Sequence, residues 1–262
     1  MVNLKELLKK SNKFSTKNLP RSFDVVGSVA LIQIPKQLEK HKKFIANLIL
    51  KTQKNINSVY QKGKHKGRLR KQVIKWIAGK KVDEVIHKES GCLFKFNIKT
   101  CYFSPRLGTD RLEIAKKVKK KEKVLVMFAG VGPYGIIIAK RNNNVTCIEL
   151  GKEACRYAKE NSKMNKVNLE VIQGDVKKVC PKLKKKFDRI IMARPQLKDD
   201  FLKEALLVSK KGTIIHFYDF LEGDFKEKIK KKLPKKIKLI RIKKVREIAP
   251  YKYHVRADFR VL

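Results

Sequence analysis

Acidic side chains are scarce in this chain, which has 24 Asp and Glu against 66 Lys and Arg in 262 residues and a formal charge of +42. So large an excess disfavours a cationic partner and points to a polyanion, because a positive field draws in phosphates and releases their counterions without reading sequence. Lysine-rich surfaces also occur in proteins from hot environments. Those tend to balance lysine with glutamate, whereas residues 1–100 here hold 24 Lys and Arg and six Asp and Glu. RNA or DNA is favoured, and on charge alone a membrane surface stays open.

Thiols are few. Five cysteines (Cys92, Cys101, Cys147, Cys155, Cys180), odd in number and without a CxxC pair, suggest neither a disulfide framework nor a zinc site. His87, His216 and His254 lack metal-ligand spacing, so they are read as structural and no metal is expected. No run of about 18 apolar residues occurs, which argues against a membrane span. Met1–Lys10 reads as a short amphipathic helix with no signal-peptide core. A cytoplasmic, soluble protein is expected, and a monomer.

Composition and periodicity divide the chain into a basic leader (1–20), a small α+β module (21–103) and a larger α/β domain (104–262). In the module, Ser22–Pro35 is β-branched around Gly27 and predicts a strand pair or bent strand. Leu38, Phe44, Ile45, Leu48 and Ile49 predict a helix over 36–54. Gln61–Lys71 (QKGKHKGRLRK) reads as a basic loop whose Lys62, Lys64, Lys66, Arg68 and Arg70 suit phosphate contacts, with a solvated loop as the plain alternative. Strands are expected from Gln72 to Phe103. Beyond Ser104, helix and strand alternate, with strands at 123–128, 144–150, 169–173, 189–193 and 212–217 and a final pair at 237–246 and 254–261. That alternation marks a doubly wound sheet.

The sharpest local signal is VLVMFAGVGPYG over 124–135, an apolar strand running into a glycine turn and then a helix near Tyr134. Gly130 and Gly132 let backbone approach a ligand, a pattern shared by many nucleotide sites. Glu149 in TCIEL follows Gly132 by 17 residues at the end of the second strand, where a carboxylate can accept both ribose hydroxyls of an adenosine. Asp175 in QGDV ends the third strand, within reach of an adenine edge. Three such positions in series predict an adenosyl cofactor. Phe128, Tyr134 and Tyr102 are candidates to stack on adenine or on a flipped base, with core packing the plainer role for at least one of them.

The blocks RSFDVVGSVALIQIP, VIHKESGCLFKFNIKTCYFSPRLGTDRLEIAKKV, MFAGVGPYGI and REIAPYKYHVRADFRV resemble the archaeal and eukaryotic tRNA (guanine-37-N1)-methyltransferase family, whose relatives include the wybutosine aminocarboxypropyltransferases. The resemblance covers residues 20–262. It implies an α/β, class I (Rossmann-like) methyltransferase domain preceded by the small RNA-facing module, with S-adenosyl-L-methionine as cofactor and tRNA as partner. In the methyltransferases the specific block reads SPRL, and its arginine, here Arg106, is taken to help the reaction; the plain alternative is that Arg106 only pairs with a phosphate or a local carboxylate. Ser104, Arg111, Phe128, Pro133 and Val176 join Gly130, Gly132, Glu149 and Asp175 in the expected cofactor set. Pro195 is expected to shape the target-base pocket and Arg194 to bind a flanking phosphate.

Three positions depart from the family. Val126 stands where an acid is usual before MFAG, Ala193-Arg194-Pro195 replaces an Asn-Leu-Pro segment, and Arg156 takes the place of the expected general base. Arginine stays protonated and cannot accept a proton, so Glu153, three residues earlier on the same helix face, becomes the candidate base, with a surface carboxylate beside Lys152 and Arg156 as the plainer alternative. Two rivals keep the fold: methylation of a wyosine intermediate or aminocarboxypropyl transfer at the same nucleotide, and a catalytically weakened RNA-binding homologue. Retention of Gly130, Gly132, Glu149 and Asp175 argues against the second.

Overall fold

The computed structural model describes residues 22–67, 71–142, 144–193, 199–231 and 236–262, with Glu6, Leu8, Leu19, Pro20 and Pro234. The expected leader helix over Met1–Lys10 lies outside the described residues except for Glu6 and Leu8. Two compact units form, Met1–Arg106 and Leu107–Leu262.

In the first unit, β1 (Asp24–Val26) and β2 (Val29–Ile32) pair antiparallel about Gly27, whose φ of 57° suits glycine. A side chain there would meet the carbonyl of Ile86 at 2.8 Å. The predicted helix begins as a 3-10 turn (Lys36–His41) and continues as α1 (Lys42–Thr52). Its Ile45, Ala46 and Ile49 are buried in one cluster with Ala30, Ile32, Val59 and Ile77. α1 links β2 to β3 (Ser58–Lys66), which lie parallel, and β4 (Lys71–Gly79) returns antiparallel. β5 (Glu84–Glu89) and β6 (Cys92–Asn97) form a separate hairpin, on which Phe103 packs against Phe94, Phe96 and His87.

From Gln61 to Lys66 the basic stretch is strand and not loop, and residues 68–70 lie outside the described residues. Lys62 pairs with Ile74, His65 with Gln72 and Lys66 with Lys71, so β3 and β4 form one long hairpin. Backbone pairing needs no apolar side chain on both strands, and β4 carries the β-formers Val73 and Ile74 opposite the charged run. The register slips between Lys62 and His65.

The second unit opens with α2 (Gly108–Lys117) and contains a sheet of β7 (Val124–Met127), β8 (Val145–Glu149), β9 (Glu170–Gln173), β10 (Phe187–Met192), β11 (Ser209–Glu222), β12 (Ile237–Ala249) and β13 (Lys252–Val261). Among the described residues its order is β12-β13-β11-β10-β7-β8-β9. The strands from β11 to β9 run parallel, and β13 and β12 add antiparallel. β7 is buried along its whole length, as a parallel strand covered on both faces must be. Val126 is part of that buried strand, which explains how an apolar residue is tolerated there. α3 (Pro133–Ala139), α4 (Lys152–Met164), α5 (Val176–Val179), α6 (Leu202–Leu207) and α7 (Phe225–Lys231) alternate with the strands. The order reverses at β7, with β8 and β9 on one side and β10 and β11 on the other. This is the switch point at which such sheets bind ligands, off the carboxyl ends of the strands.

Candidate cofactor site and charged clusters

The turn after β7 is built for close backbone approach. Phe128, Gly130 and Gly132 have φ of 62°, 58° and 88°. Gly132 is the N-cap of α3, and Pro133 follows at the first helical position, where its missing N–H costs nothing. The turn is anchored by Ala129 N–H donating to the Ile148 carbonyl (3.0 Å), Gly132 N–H donating to the Ala129 carbonyl (3.0 Å) and the buried Asn161 amide donating to the Val131 carbonyl (3.1 Å). A side chain on Gly132 would press on Ile136 at 3.1 Å and Ala158 at 3.4 Å.

Glu149 ends β8, and its two oxygens accept the N–H groups of Gly130 and Gly151, each at 2.8 Å. A carboxylate so fixed keeps lone pairs for further donors and suits a diol such as a ribose. Gly174 N–H donates to the Glu149 carbonyl at 2.9 Å, which ties the ends of β8 and β9 together. Asp175 is the N-cap of α5 and accepts from Lys177 N–H at 3.0 Å. Gly130, Gly132, Glu149 and Asp175 therefore share the carboxyl edge of the sheet, and their chemistry fits an adenosyl group. Phe128 sits edge-on to Phe201 at 5.0 Å. Val176 is buried in the main core cluster, and Arg111 is buried with its guanidinium 5.8 Å from the Tyr134 ring centre.

Tyr134 is not a stacking platform. It is buried, and its hydroxyl joins that of Tyr218 (3.1 Å apart) on Asp110 Oδ2. These three residues belong to a buried charged network absent from the sequence reading. Arg256 donates to Asp110, to Glu113 at 2.7 Å and to Asp258 at 2.9 Å. His216 joins Asp258 through Nδ1 (2.7 Å) and Arg189 through Nε2 (2.8 Å), and Arg189 also donates to Glu122. Arginine can only donate, so Nε2 accepts and Nδ1 carries the proton. Burial lowers the His216 pKa despite Asp258, in keeping with that neutral ring. Burial alone would raise the carboxyls of Glu113 and Asp258. Hydrogen bonds from Lys243 and Arg256 to the first, and from His216 and Arg256 to the second, hold both well below the usual range. The available signal was in HVRADF, where strand alternation puts His254, Arg256 and Asp258 on one face.

In the first unit, Ser104 is buried, and Lys62 and Arg106 converge on Asp24. Burial pushes the Asp24 carboxyl up, and its hydrogen bonds with Lys62 and Arg106 outweigh this and lower it. The Arg106 side chain remains 46% exposed. Arg156 lies on the exposed face of α4, paired with Glu160 at 3.2 Å and 4.0 Å from the Tyr157 ring centre. Glu153 is in the first turn of that helix. Arg68, Arg70, Arg194 and Pro195, and the side chains of Lys64 and Lys66, lie outside the described residues. Among the described residues no cluster of His, Cys, Asp and Glu could hold a metal, and no helix is long and apolar enough to cross a membrane.

Comparison with known proteins bears on the family and the fold. Residues 85–248 match the TRM5/TYW2 methyltransferase domain, and residues 4–82 the TYW2 N-terminal domain. The chain is 38% identical to a tRNA (guanine(37)-N(1))-methyltransferase, Trm5b, of Pyrococcus abyssi, over 93% of this chain and 76% of that one. It is 33% identical to a tRNA (guanine(37)-N(1))/4-demethylwyosine(37)-methyltransferase, Taw22, of Nanoarchaeum equitans, over 92% and 96%. The crystal structure of Methanocaldococcus jannaschii Trm5 in complex with adenosine superposes with a TM-score of 0.82 at 31% identity, covering 99% of this chain and 78% of that one. The chain belongs to the TRM5/TYW2 family of methyltransferases.

Proposed function

We propose that this protein transfers a methyl group from S-adenosylmethionine to N1 of guanine 37 in tRNA, acting as a monomer in the cytoplasm, with the small module (21–103) contacting the RNA. The observation that carries the reading is the convergence of the Gly130–Gly132 turn, Glu149 and Asp175 on one edge of a sheet with this strand order. Glu149 would hold the ribose hydroxyls and Asp175 the adenine edge, with Gly130 and Gly132 admitting the cofactor close to backbone.

When bound, S-adenosylmethionine supplies an activated methyl on a sulfonium, so the protein has to align the nucleophile and manage one proton. As guanine N1 loses that proton, negative charge grows on O6. Arg106 is the candidate to stabilise it through charge-assisted hydrogen bonds. Asp24 holds one side of that guanidinium and leaves it partly exposed. Glu153 is the candidate proton acceptor, because Arg156 cannot serve. Pro195 would border the base and Arg194 would hold the flanking phosphate.

A second reading is methylation of 4-demethylwyosine at the same position. It is favoured by Ala193 in place of the family's asparagine and by the dual activity in the name of the Nanoarchaeum relative. Incubation with labelled S-adenosylmethionine and tRNA carrying either guanine or 4-demethylwyosine at position 37, followed by nucleoside analysis, decides between them. Formation of 1-methylguanosine supports the proposal. Label found only on the tricyclic base supports the second reading, and no label on either overturns both.

A further inference from the structure

β10 ends at Met192, which pairs with Phe217, whereas β11 continues to Glu222 and stays paired with β13 as far as Lys252. β12 accompanies β13 to Ala249. A ribbon of three strands therefore overhangs the edge that carries Gly130, Glu149 and Asp175 by five residues, about 17 Å at the usual rise of a strand. Its tip is the turn between β12 and β13. There Ile248 and Pro250 are exposed, and Tyr251 is 76% exposed. Tyr251 has a φ of 59°, a conformation that bulky residues rarely adopt, and its carbonyl accepts the Gly223 N–H at 3.0 Å. The backbone of the tip is thus tied to the adjoining turn while the phenol ring projects. Residues 237–253 carry six Lys and Arg against one Glu. Close to the tip, the Lys244 ammonium lies 4.0 Å from the Tyr253 ring centre.

Lysines on an exposed edge strand also serve to block pairing with other chains. That role does not account for a projecting aromatic ring and two exposed apolar residues at the tip, which edge protection would disfavour. We infer that the β12–β13 tip is an RNA-docking element, in which Tyr251 stacks on an unpaired base while Lys244, Arg246 and Lys252 lie along the flanking phosphates. Base stacking on an aromatic ring combined with a basic track is the usual chemistry of single-stranded nucleic-acid binding, and it requires a base free of a duplex, such as one in a loop. The inference rests on the tRNA reading above and adds to it a contact residue and the kind of nucleotide contacted.

The test is steady-state methylation and filter binding of the full chain on tRNA, with S-adenosylmethionine affinity measured by calorimetry in parallel. Tyr251→Ala should raise KM and Kd for tRNA about tenfold, with kcat within twofold and cofactor affinity unchanged. Tyr251→Phe should behave as wild type, because stacking needs the ring and not the hydroxyl. Lys244→Glu with Lys252→Glu should weaken binding and flatten its salt dependence, whereas Lys123→Glu, an exposed site at the amino end of β7, should do so to a much smaller extent. Unchanged tRNA affinity in Tyr251→Ala, or equal effects at the tip and at Lys123, would overturn the inference. Absence of tRNA methylation by the wild-type chain would instead sink the functional reading on which it rests.

Discussion

Two arginines in this protein sit in opposite settings. Arg256, in the second unit, is wholly buried and shared among Asp110, Glu113 and Asp258. Arg106, in the first, is held on one side by Asp24 and stays 46% exposed. A buried, fully paired charge has a fixed task because moving it would strand several carboxylates in a dry interior. A half-exposed one can exchange partners at little cost, since pairs in contact with water are worth little. Arg256 is therefore expected to govern stability and Arg106 reactivity.

The largest effect should come from Arg256→Met. Leaving the buried carboxylates without their cation should cost about 3–5 kcal/mol in urea denaturation, and adding Asp110→Asn should recover part of it. Acid sensitivity gives a second measure. Glu113 and Asp258 have folded-state pKa values depressed below those of the unfolded chain. Their contribution is complete above about pH 4–5 and is lost as pH falls toward the folded-state values. Stability of the wild type should decline over that acid range, and the decline should be shallower in Arg256→Met. An equally steep decline would show that the network does not set these pKa values.

Arg106→Ala should next lower single-turnover methylation about 100-fold, the scale of losing one donor to a developing oxyanion, with stability nearly unchanged. Arg106→Lys should restore only part of the rate because a point charge lacks the planar fork. If tRNA affinity falls in proportion to rate, Arg106 is a phosphate clamp, and the contrast with Arg256 becomes one of binding against folding. Glu149→Ala should weaken S-adenosylmethionine by roughly 1–3 kcal/mol through loss of hydrogen bonds in a partly buried site. It should also loosen the turn, since Gly130 and Gly151 lose their shared acceptor. Calorimetry showing unchanged affinity would remove Glu149 from the cofactor site.

The same contrast explains what was legible in the sequence. The strand, turn and helix over 124–139 announced themselves because backbone geometry there demands glycine at 130 and 132 and permits proline at 133, and these demands are local. Glu149 and Asp175 were legible as the ends of apolar strands. The Arg256 network was not, because charged residues in a strand suggest solvent unless their partners, more than a hundred residues distant at Asp110 and Glu113, are known. Tyr134 could be read either as a stacking ring or as core for the same reason, and the acceptor that draws it into the core is Asp110. The strand over residues 61–66 was not legible because composition records charge, whereas strand pairing is made by backbone.

The smallest effect expected of any one residue concerns the cations of residues 62–68. Phosphate contacts should make tRNA affinity fall steeply with salt, and each contact removed should lower the log–log slope by about 0.7–0.9, depending on whether the strand contacted is single or double. Charge reversal at Lys64, Lys66 and Arg68 should flatten the slope accordingly and leave kcat on saturating tRNA unchanged. Lys62 sharpens the comparison. Its ammonium is engaged by Asp24 together with Arg106, so Lys62→Glu would place a second carboxylate beside Asp24 and withdraw part of the setting that holds Arg106. It should therefore reduce the single-turnover rate as well as the salt slope. If all four reversals change the slope alone and by similar amounts, Asp24 does not position Arg106, and the first unit's charged cluster is phosphate-binding surface throughout.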